Sequence, residues 1–254
     1  MTRALLPLLS LLLLLQGACA SDSPRAEGAP DPNAVFNVHP VRPVAELLPI
    51  ALAATPPPES GEFRRSDLVE LITLDPTIKL DIRYATTRNL LGTPIYGQAR
   101  AFMQRPAAEA LVRVQRSLAA EGYGLLVYDA YRPWYVTKLF WDAVPPELHK
   151  FVADPAQGSR HNRGCAVDLT LYELRTGRTV SMPSLYDETT ERAYPSYTGG
   201  TAEQRRSRDL LRRHMEAEGF AVYEFEWWHF DYRDWRSYAI QNVRFDDIRP
   251  GSGT

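Results

Sequence analysis

The stretch Ser159-Arg160-His161-Asn162-Arg163-Gly164-Cys165-Ala166-Val167-Asp168 carries two kinds of information at once. Its second half continues into Leu169-Thr170-Leu171-Tyr172, an apolar run closed by Thr176-Gly177, so residues 166–174 read as a buried strand. Its first half is polar and holds Gly164 as a turn residue, which leaves His161 and Asp168 on either side of a turn leading into that strand. Both side chains can converge on one point. Taken alone, a His near an Asp is also what a hydrogen-bonded structural pair looks like, so the rest of the chain has to decide.

Downstream, residues 202–218 form a helical pattern stopped by Gly219, and residues 220–231 read as a strand containing Glu224-Phe225-Glu226-Trp227-Trp228-His229-Phe230. Val180-Ser181-Met182 reads as a further short strand. Upstream, residues 123–128 are a buried strand that runs into Asp129-Ala130-Tyr131-Arg132-Pro133 and then a helix over 134–144. Residues 106–120 have Pro106 in the first turn, Ala107, Leu111, Val114 and Leu118 at helical spacing, and Gly122 as the stop. Residues 68–74 and 78–82 read as short strands, and 84–98 as a long loop with Gly92 and Gly97. Strands and helices interleave without a regular βαβ alternation, which predicts a mixed α+β domain rather than a doubly wound sheet.

At 254 residues the chain has room for one domain with extensions, and 44% hydrophobic with 24% charged residues is ordinary globular composition. A formal charge of -2 with scattered arginines gives no basic stripe, so no nucleic acid partner is expected. Residues 1–20 read as a secretory signal: Arg3, an apolar run over 5–15, then Ala18-Cys19-Ala20 before Ser21. That run is too short to cross a hydrocarbon layer of about 30 Å. Cleavage after Ala20 leaves Cys165 as the only cysteine. A lipoprotein signal would instead cut before Cys19 and acylate it, although Gln16 stands where such signals want Leu. Neither route yields an intramolecular disulfide. The expected location is outside the cytoplasm, in the periplasm, with membrane attachment only if Cys19 carries lipid. Residues 21–61, with Pro24, Pro30, Pro32, Pro40, Pro43, Pro49 and Pro56-Pro57-Pro58, read as an extended spacer in which 44–54 is apolar enough to pack. The domain proper is then 62–248.

Of the five histidines, His39, His149, His161, His214 and His229, two have loaded surroundings: His161 with Asp168, and His229 with Glu226 three residues before it. Two imidazoles and one carboxylate would be three protein ligands to Zn²⁺, leaving the fourth tetrahedral position for water. Zinc lowers the pKa of bound water from about 15.7 to about 7, and a carboxylate that is not a ligand, here Glu226, can accept its proton. The anion formed when water attacks a carbonyl calls for a fixed cation. Arg132, stiffened by Pro133, supplies a planar fork able to stabilise it or to grip a carboxylate. The alternatives at this level are an Arg132–Asp129 ion pair, core packing for Trp227-Trp228, and a small buried role for Cys165 rather than a nucleophile.

The signature S-x-H-x-x-G-x-A-x-D (159–168), with Y-R-P (131–133) and E-W-W-H (226–229), resembles the zinc D-alanyl-D-alanine peptidases, and in particular the D-alanyl-D-alanine dipeptidase branch of the VanX type. The resemblance spans about residues 81–232. It implies a compact α+β fold shared with the hedgehog signalling domain, a central, mostly antiparallel sheet flanked by helices, one Zn²⁺ per chain, and hydrolysis of a free D,D-dipeptide. It further implies that His161, Asp168 and His229 are the zinc ligands, Glu226 the base, and Arg132 the residue that polarises the scissile carbonyl. Tyr84 and Ser159 match groups that contact the substrate backbone, and Asp187 the acid that holds the substrate ammonium, which a dipeptidase must capture. The alternatives are a D,D-carboxypeptidase or endopeptidase acting on peptidoglycan stem peptides, and a zinc-stabilised binding module without catalysis. An export signal has no counterpart in a cytoplasmic resistance enzyme, so scavenging or wall turnover is the expected setting. The sequence leaves the oligomeric state open.

Overall fold

Along the chain, helix α1 (Val44–Ala53), strand β1 (Leu68–Glu70), helix α2 (Leu71–Leu74), strands β2 (Lys79–Leu80) and β3 (Phe102–Gln104), helix α3 (Arg105–Ala119), strand β4 (Tyr123–Asp129), helix α4 (Trp134–Ala143), strand β5 (Ala166–Glu173), helix α5 (Ala202–Ala217) and strands β6 (Phe220–Tyr223) and β7 (Glu226–Tyr232) follow one another in the computed structural model, which describes residues 31–248. The expected signal at 1–20, Cys19 and the first part of the spacer lie outside the described residues.

The main sheet has the order β2-β4-β5-β7-β6, with β2 parallel to β4 and every other pair antiparallel. Its central strands are near-continuous apolar runs, and β4 and β5 are buried along almost their whole length. Helix α3 starts at a proline in its first turn and turns Ala107, Leu111, Val114 and Leu118 into the core against β4. Helix α5 begins with a capping box in which Thr201 and Gln204 satisfy each other's backbone amides. It packs on β5, β6, β7 and α3, so the two long helices back the sheet and leave the strand ends and the loops beyond them for the site. The sheet is therefore mixed but mostly antiparallel, with helices flanking it.

Several local readings change. The run over 68–74 divides into β1 and the single turn α2, and β1 pairs with β3, a strand that the pattern did not announce. The expected strand over 78–82 shrinks to β2. Residues 180–182 are not a strand; the chain meets β5 at the isolated bridge Tyr172–Thr179, where the Val180 amide donates to the Leu171 carbonyl, and then leaves the sheet. The expected strand over 220–231 is a hairpin, β6 and β7 joined by a turn at Glu224-Phe225. That turn has no Gly, Pro, Asn or Asp to mark it, and an unbroken aromatic run hid the reversal. Within the proline-rich stretch, α1 is a helix despite Pro49, because Val44, Leu47 and Ala51 fall on one face and pack against α4.

Candidate active site

Neighbouring strands assemble the chemistry. Asp168 on β5 stands opposite His229 on β7 and opposite Asp129 at the end of β4. Directly paired residues of an antiparallel ladder project side by side from one face, so these side chains must meet. His161 arrives from the 3-10 turn His161–Arg163 just before β5. Gly164 ends that turn at φ 71°, where a Cβ would come within 2.6 Å of Leu68, so a side chain there would push the turn off the strand.

Three buried atoms face one point: His161 Nε2, His229 Nδ1 and Asp168 Oδ1, with separations of 3.1 Å between the imidazoles and 3.2 and 3.0 Å to the carboxylate. The outer nitrogens fix the tautomers. His161 Nδ1 lies 2.7 Å from the Ala130 carbonyl, which only accepts, so Nδ1 carries the hydrogen and Nε2 presents its lone pair. His229 Nε2 donates to Asp231 Oδ1 at 3.0 Å, which leaves the Nδ1 lone pair inward. Asp168 Oδ1 accordingly has no hydrogen-bond donor although it is fully buried. Three lone pairs converging without a proton between them repel one another unless a cation stands among them. Ligand atoms around a small tetrahedral ion with bonds of about 2.0–2.1 Å lie about 3.3 Å apart, close to these separations. The residues present fit a divalent metal ion.

The electrostatics agree. Burial opposes charge on Asp168, yet His161 and His229 hold its carboxyl well below the usual range. Burial lowers the His229 imidazole, but Asp231 and Asp168 outweigh it and raise it to about 10, so with no cation among the three atoms a proton would take the inward position, and a metal ion and that proton compete for the same lone pair. The protein thus favours positive charge here.

Glu226, at the start of β7, lies 3.7 Å from His229 Nδ1 and outside the trio. Burial pushes its carboxyl up to about 8, with Asp168 and Asp187 adding to the rise while His229 and Arg132 oppose it. Arg132 donates from Nε to Asp129 Oδ2 at 2.9 Å, holds the same oxygen through Nη2 at 2.8 Å, and reaches Asp168 Oδ2 at 3.6 Å. The simple ion pair is therefore present, and it braces a guanidinium that also lies over the rings of Tyr84 and Phe140. Asp129 is held in turn by the hydroxyl of Tyr96 at 2.8 Å.

Asp187 is the one non-glycine residue among the described residues with positive φ, 61°. Tyr84 donates to its Oδ1 at 3.0 Å, and Tyr186 donates to Asp168 Oδ2 at 2.9 Å while its hydroxyl sits 3.2 Å from that of Tyr84. Burial keeps both phenols protonated, with pKa values well above 10, so both remain donors. Burial and Asp168 push Asp187 up to about 7, against the Tyr84 hydrogen bond and Arg132. Ser159 is a turn serine, its Oγ accepting from the His161 amide at 3.2 Å. Cys165 is wholly buried, its thiol pushed up to about 12 by burial, and it has no disulfide partner among the described residues.

All eight residues singled out from the sequence line one cleft of about 700 Å³. Sequence reasoning missed Asp231, Tyr186, Tyr96 and the structural weight of Asp129. Asp231 was findable, because it sits two residues beyond His229 on the same strand and so on the same face. Tyr186 and Tyr96 had no such signal, since their partners are distant in the chain.

The peptidase family described as "D-ala-D-ala dipeptidase" matches residues 64–247. A D-alanyl-D-alanine dipeptidase of Escherichia coli is 34% identical over 188 residues, covering 74% of this chain and 96% of that protein. Those of Enterococcus faecium and Enterococcus faecalis are 37% and 38% identical, covering 62% and 60% of this chain and 87% and 85% of theirs. A solved structure of the LD-carboxypeptidase LdcB is similar with a TM-score of 0.37 at 19% identity, over 75% of this chain and 82% of the other. The family match over residues 64–247 and the identity to the Escherichia coli dipeptidase, falling on a buried His-Asp-His cluster with the Glu226 carboxylate beside it, lead to one conclusion: this chain is an enzyme and belongs to the D-Ala-D-Ala dipeptidase family of peptidases.

Proposed function

We propose that this protein is a zinc-dependent dipeptidase that hydrolyses D-Ala-D-Ala to free D-alanine. The observation that carries the reading is the meeting in one cleft of a metal-binding trio, a carboxylate the trio does not use, and a second carboxylate held at Asp187. His161, Asp168 and His229 would hold the zinc, one per chain. When bound, the ion would supply Lewis acidity at the scissile carbonyl and at the attacking water.

The remaining work belongs to the protein's own side chains. Glu226 in its anionic form accepts the proton of the attacking water and returns it to the departing amine; burial lifts its carboxyl to about 8, so the share of the base form grows as pH rises through that value, and the protonated form is then a ready donor. Arg132, pinned by Asp129, faces the developing oxyanion with a fixed charge that need not reorganise during the reaction. Asp187 receives the substrate ammonium, and the Tyr84 hydroxyl steadies that carboxylate. Ser159 positions the substrate backbone from the turn that also holds His161.

Release of D-alanine from D-Ala-D-Ala by the purified, zinc-loaded protein tests the reading, and absence of release from the intact dipeptide would end it. The cleft also runs past the trio along the wall at residues 149–154 and 157–158, room that favours comparison with a longer substrate. An N-acylated D-Ala-D-Ala makes that comparison: capture of a free ammonium by Asp187 predicts that the blocked form is a poor substrate, whereas equal cleavage would favour the carboxypeptidase reading. The signal pattern at 1–20 supports export, which would bring the enzyme to dipeptide released from peptidoglycan. Fractionation of cells expressing the full chain against one lacking residues 1–20 tests that placement.

A further inference from the structure

Arg160, between Ser159 and His161, lines the cleft and takes no part in the chemistry above. Its guanidinium lies over two aromatic rings that line the same cleft, 5.7 Å from the centroid of Tyr223 and 5.1 Å from that of Trp235. Among the described residues its side chain has one polar partner, Asp231 Oδ2, at 3.2 Å from Nη1. Nε and Nη2 remain available, and the side chain is 37% exposed, so solvent or a ligand can reach it. The neighbouring arginines differ. Arg132 spends two nitrogens on Asp129, and Arg163 is paired with Glu59 at 2.6 Å.

The placement of charge around the trio is asymmetric. On one side the contacts run from Asp168 through Tyr186 and Tyr84 to the carboxylate of Asp187. From a different ligand, His229, they run outward through Asp231 to the guanidinium of Arg160. A free dipeptide is a zwitterion, with an ammonium at one end and a carboxylate at the other. Resting on the dipeptidase reading, we propose that Arg160 is the specificity-determining residue that binds the C-terminal carboxylate of the substrate. A planar guanidinium matches a carboxylate through paired N–H donors. Seating it against Tyr223 and Trp235 limits its freedom before the ligand arrives, so less ordering is lost on binding. Asp231 shares its two oxygens between Arg160 and His229, which ties this anchor to the metal side of the cleft.

The test sets D-Ala-D-Ala against its C-terminal amide, both with a free amine, on zinc-loaded enzyme. The unsubstituted enzyme should prefer the acid by roughly tenfold or more in kcat/KM, expressed in KM. Arg160→Ala should bring the acid down to the level of the amide while kcat and zinc content hold. Arg160→Lys, which keeps the charge without the fork, should recover part of the preference. Calorimetric binding of both ligands to zinc-loaded Glu226→Gln enzyme gives the same comparison without turnover. An acid-to-amide ratio unchanged in Arg160→Ala overturns the proposal. So does an equal loss on both substrates accompanied by loss of zinc, which would make Arg160 only a brace for Asp231. If the unsubstituted enzyme neither binds nor cleaves either compound, the dipeptide reading fails first and the anchor fails with it.

Discussion

The two walls of the cleft are built on different principles. On the sheet side, Asp168 and His229 are opposite members of the β5–β7 ladder, with Asp129 opposite Asp168 on β4, and Tyr186 and Asp231 hold the outward atoms of Asp168 and His229. On the loop side, Tyr84 sits on the 3-10 turn Arg83–Ala85, and Asp187 lies in the irregular stretch between β5 and α5 with its backbone in a left-handed conformation. Ladder register fixes the first wall because slipping it would turn every side chain to the other face. The second wall depends on a relay of hydroxyls and on one strained residue. Reactive atoms need the precision of a rigid element, whereas selectivity can be carried by loops that vary without disturbing it.

The sharpest way to break this contrast is to remove a ladder ligand. His229→Ala should lose bound zinc and all detectable D-alanine release, and a chelator should do the same to the unsubstituted protein; stoichiometric zinc by elemental analysis in the variant would show that the sheet side is not the metal site. Next in size, Glu226→Gln should lower kcat by about 10²- to 10⁴-fold while zinc content and secondary structure persist. Full turnover in that variant would take the proton transfer away from Glu226.

Asp187→Asn probes the loop wall alone. Asn tolerates the left-handed conformation, so the fold should hold, while loss of the charge opposite the ammonium should raise KM by roughly 30-fold or more. The pH profile sharpens the point. Asp187 is pushed up to about 7 by burial and Asp168, with Asp129 adding to the rise and Tyr84 and Arg132 opposing it. It is therefore mostly neutral below that pH and becomes anionic above it. Substrate binding should improve as pH rises through about 7, and Asp187→Asn should lack that limb in 1/KM while the limb near 8 that Glu226 places on kcat stays; a 1/KM limb unchanged in the variant would assign it to another group. Smallest of all, Cys165→Ala should leave kcat and KM unchanged and cost about 1 kcal/mol in denaturant melts, as a small buried truncation does. With its thiol pushed up to about 12, Cys165 should resist alkylation at pH 8 until the protein unfolds, as mass spectrometry would report.

Helix α3 was legible to within one residue at each end, because a proline start, a 3.6-residue apolar stripe and a glycine stop are all local signals. The β6–β7 hairpin was not, because its turn lacks the residues that mark reversals and both arms are aromatic. Helix α1 was hidden among prolines, since its stability comes from the face it lays against α4 rather than from its own propensity. The site divides the same way. Two close-spaced motifs announced the candidate ligands and Glu226, whereas Tyr186, whose hydroxyl joins Asp168 to Tyr84, carried no mark at all.

What the linear chain determined was chemical identity: which imidazoles and carboxylates are available, that the domain is α+β, and that the likeness is to a metal peptidase family. Those properties reside in residue type and short spacing, which survive without coordinates. What only the tertiary structure decided was which nitrogen of each histidine faces inward, which arginine has its fork committed and which keeps it free, and that Asp187 and Tyr84, 103 residues apart, share a hydrogen bond. Such facts depend on strand register and loop closure, where contacts between distant residues compete against chain entropy, and no local pattern encodes the outcome of that competition.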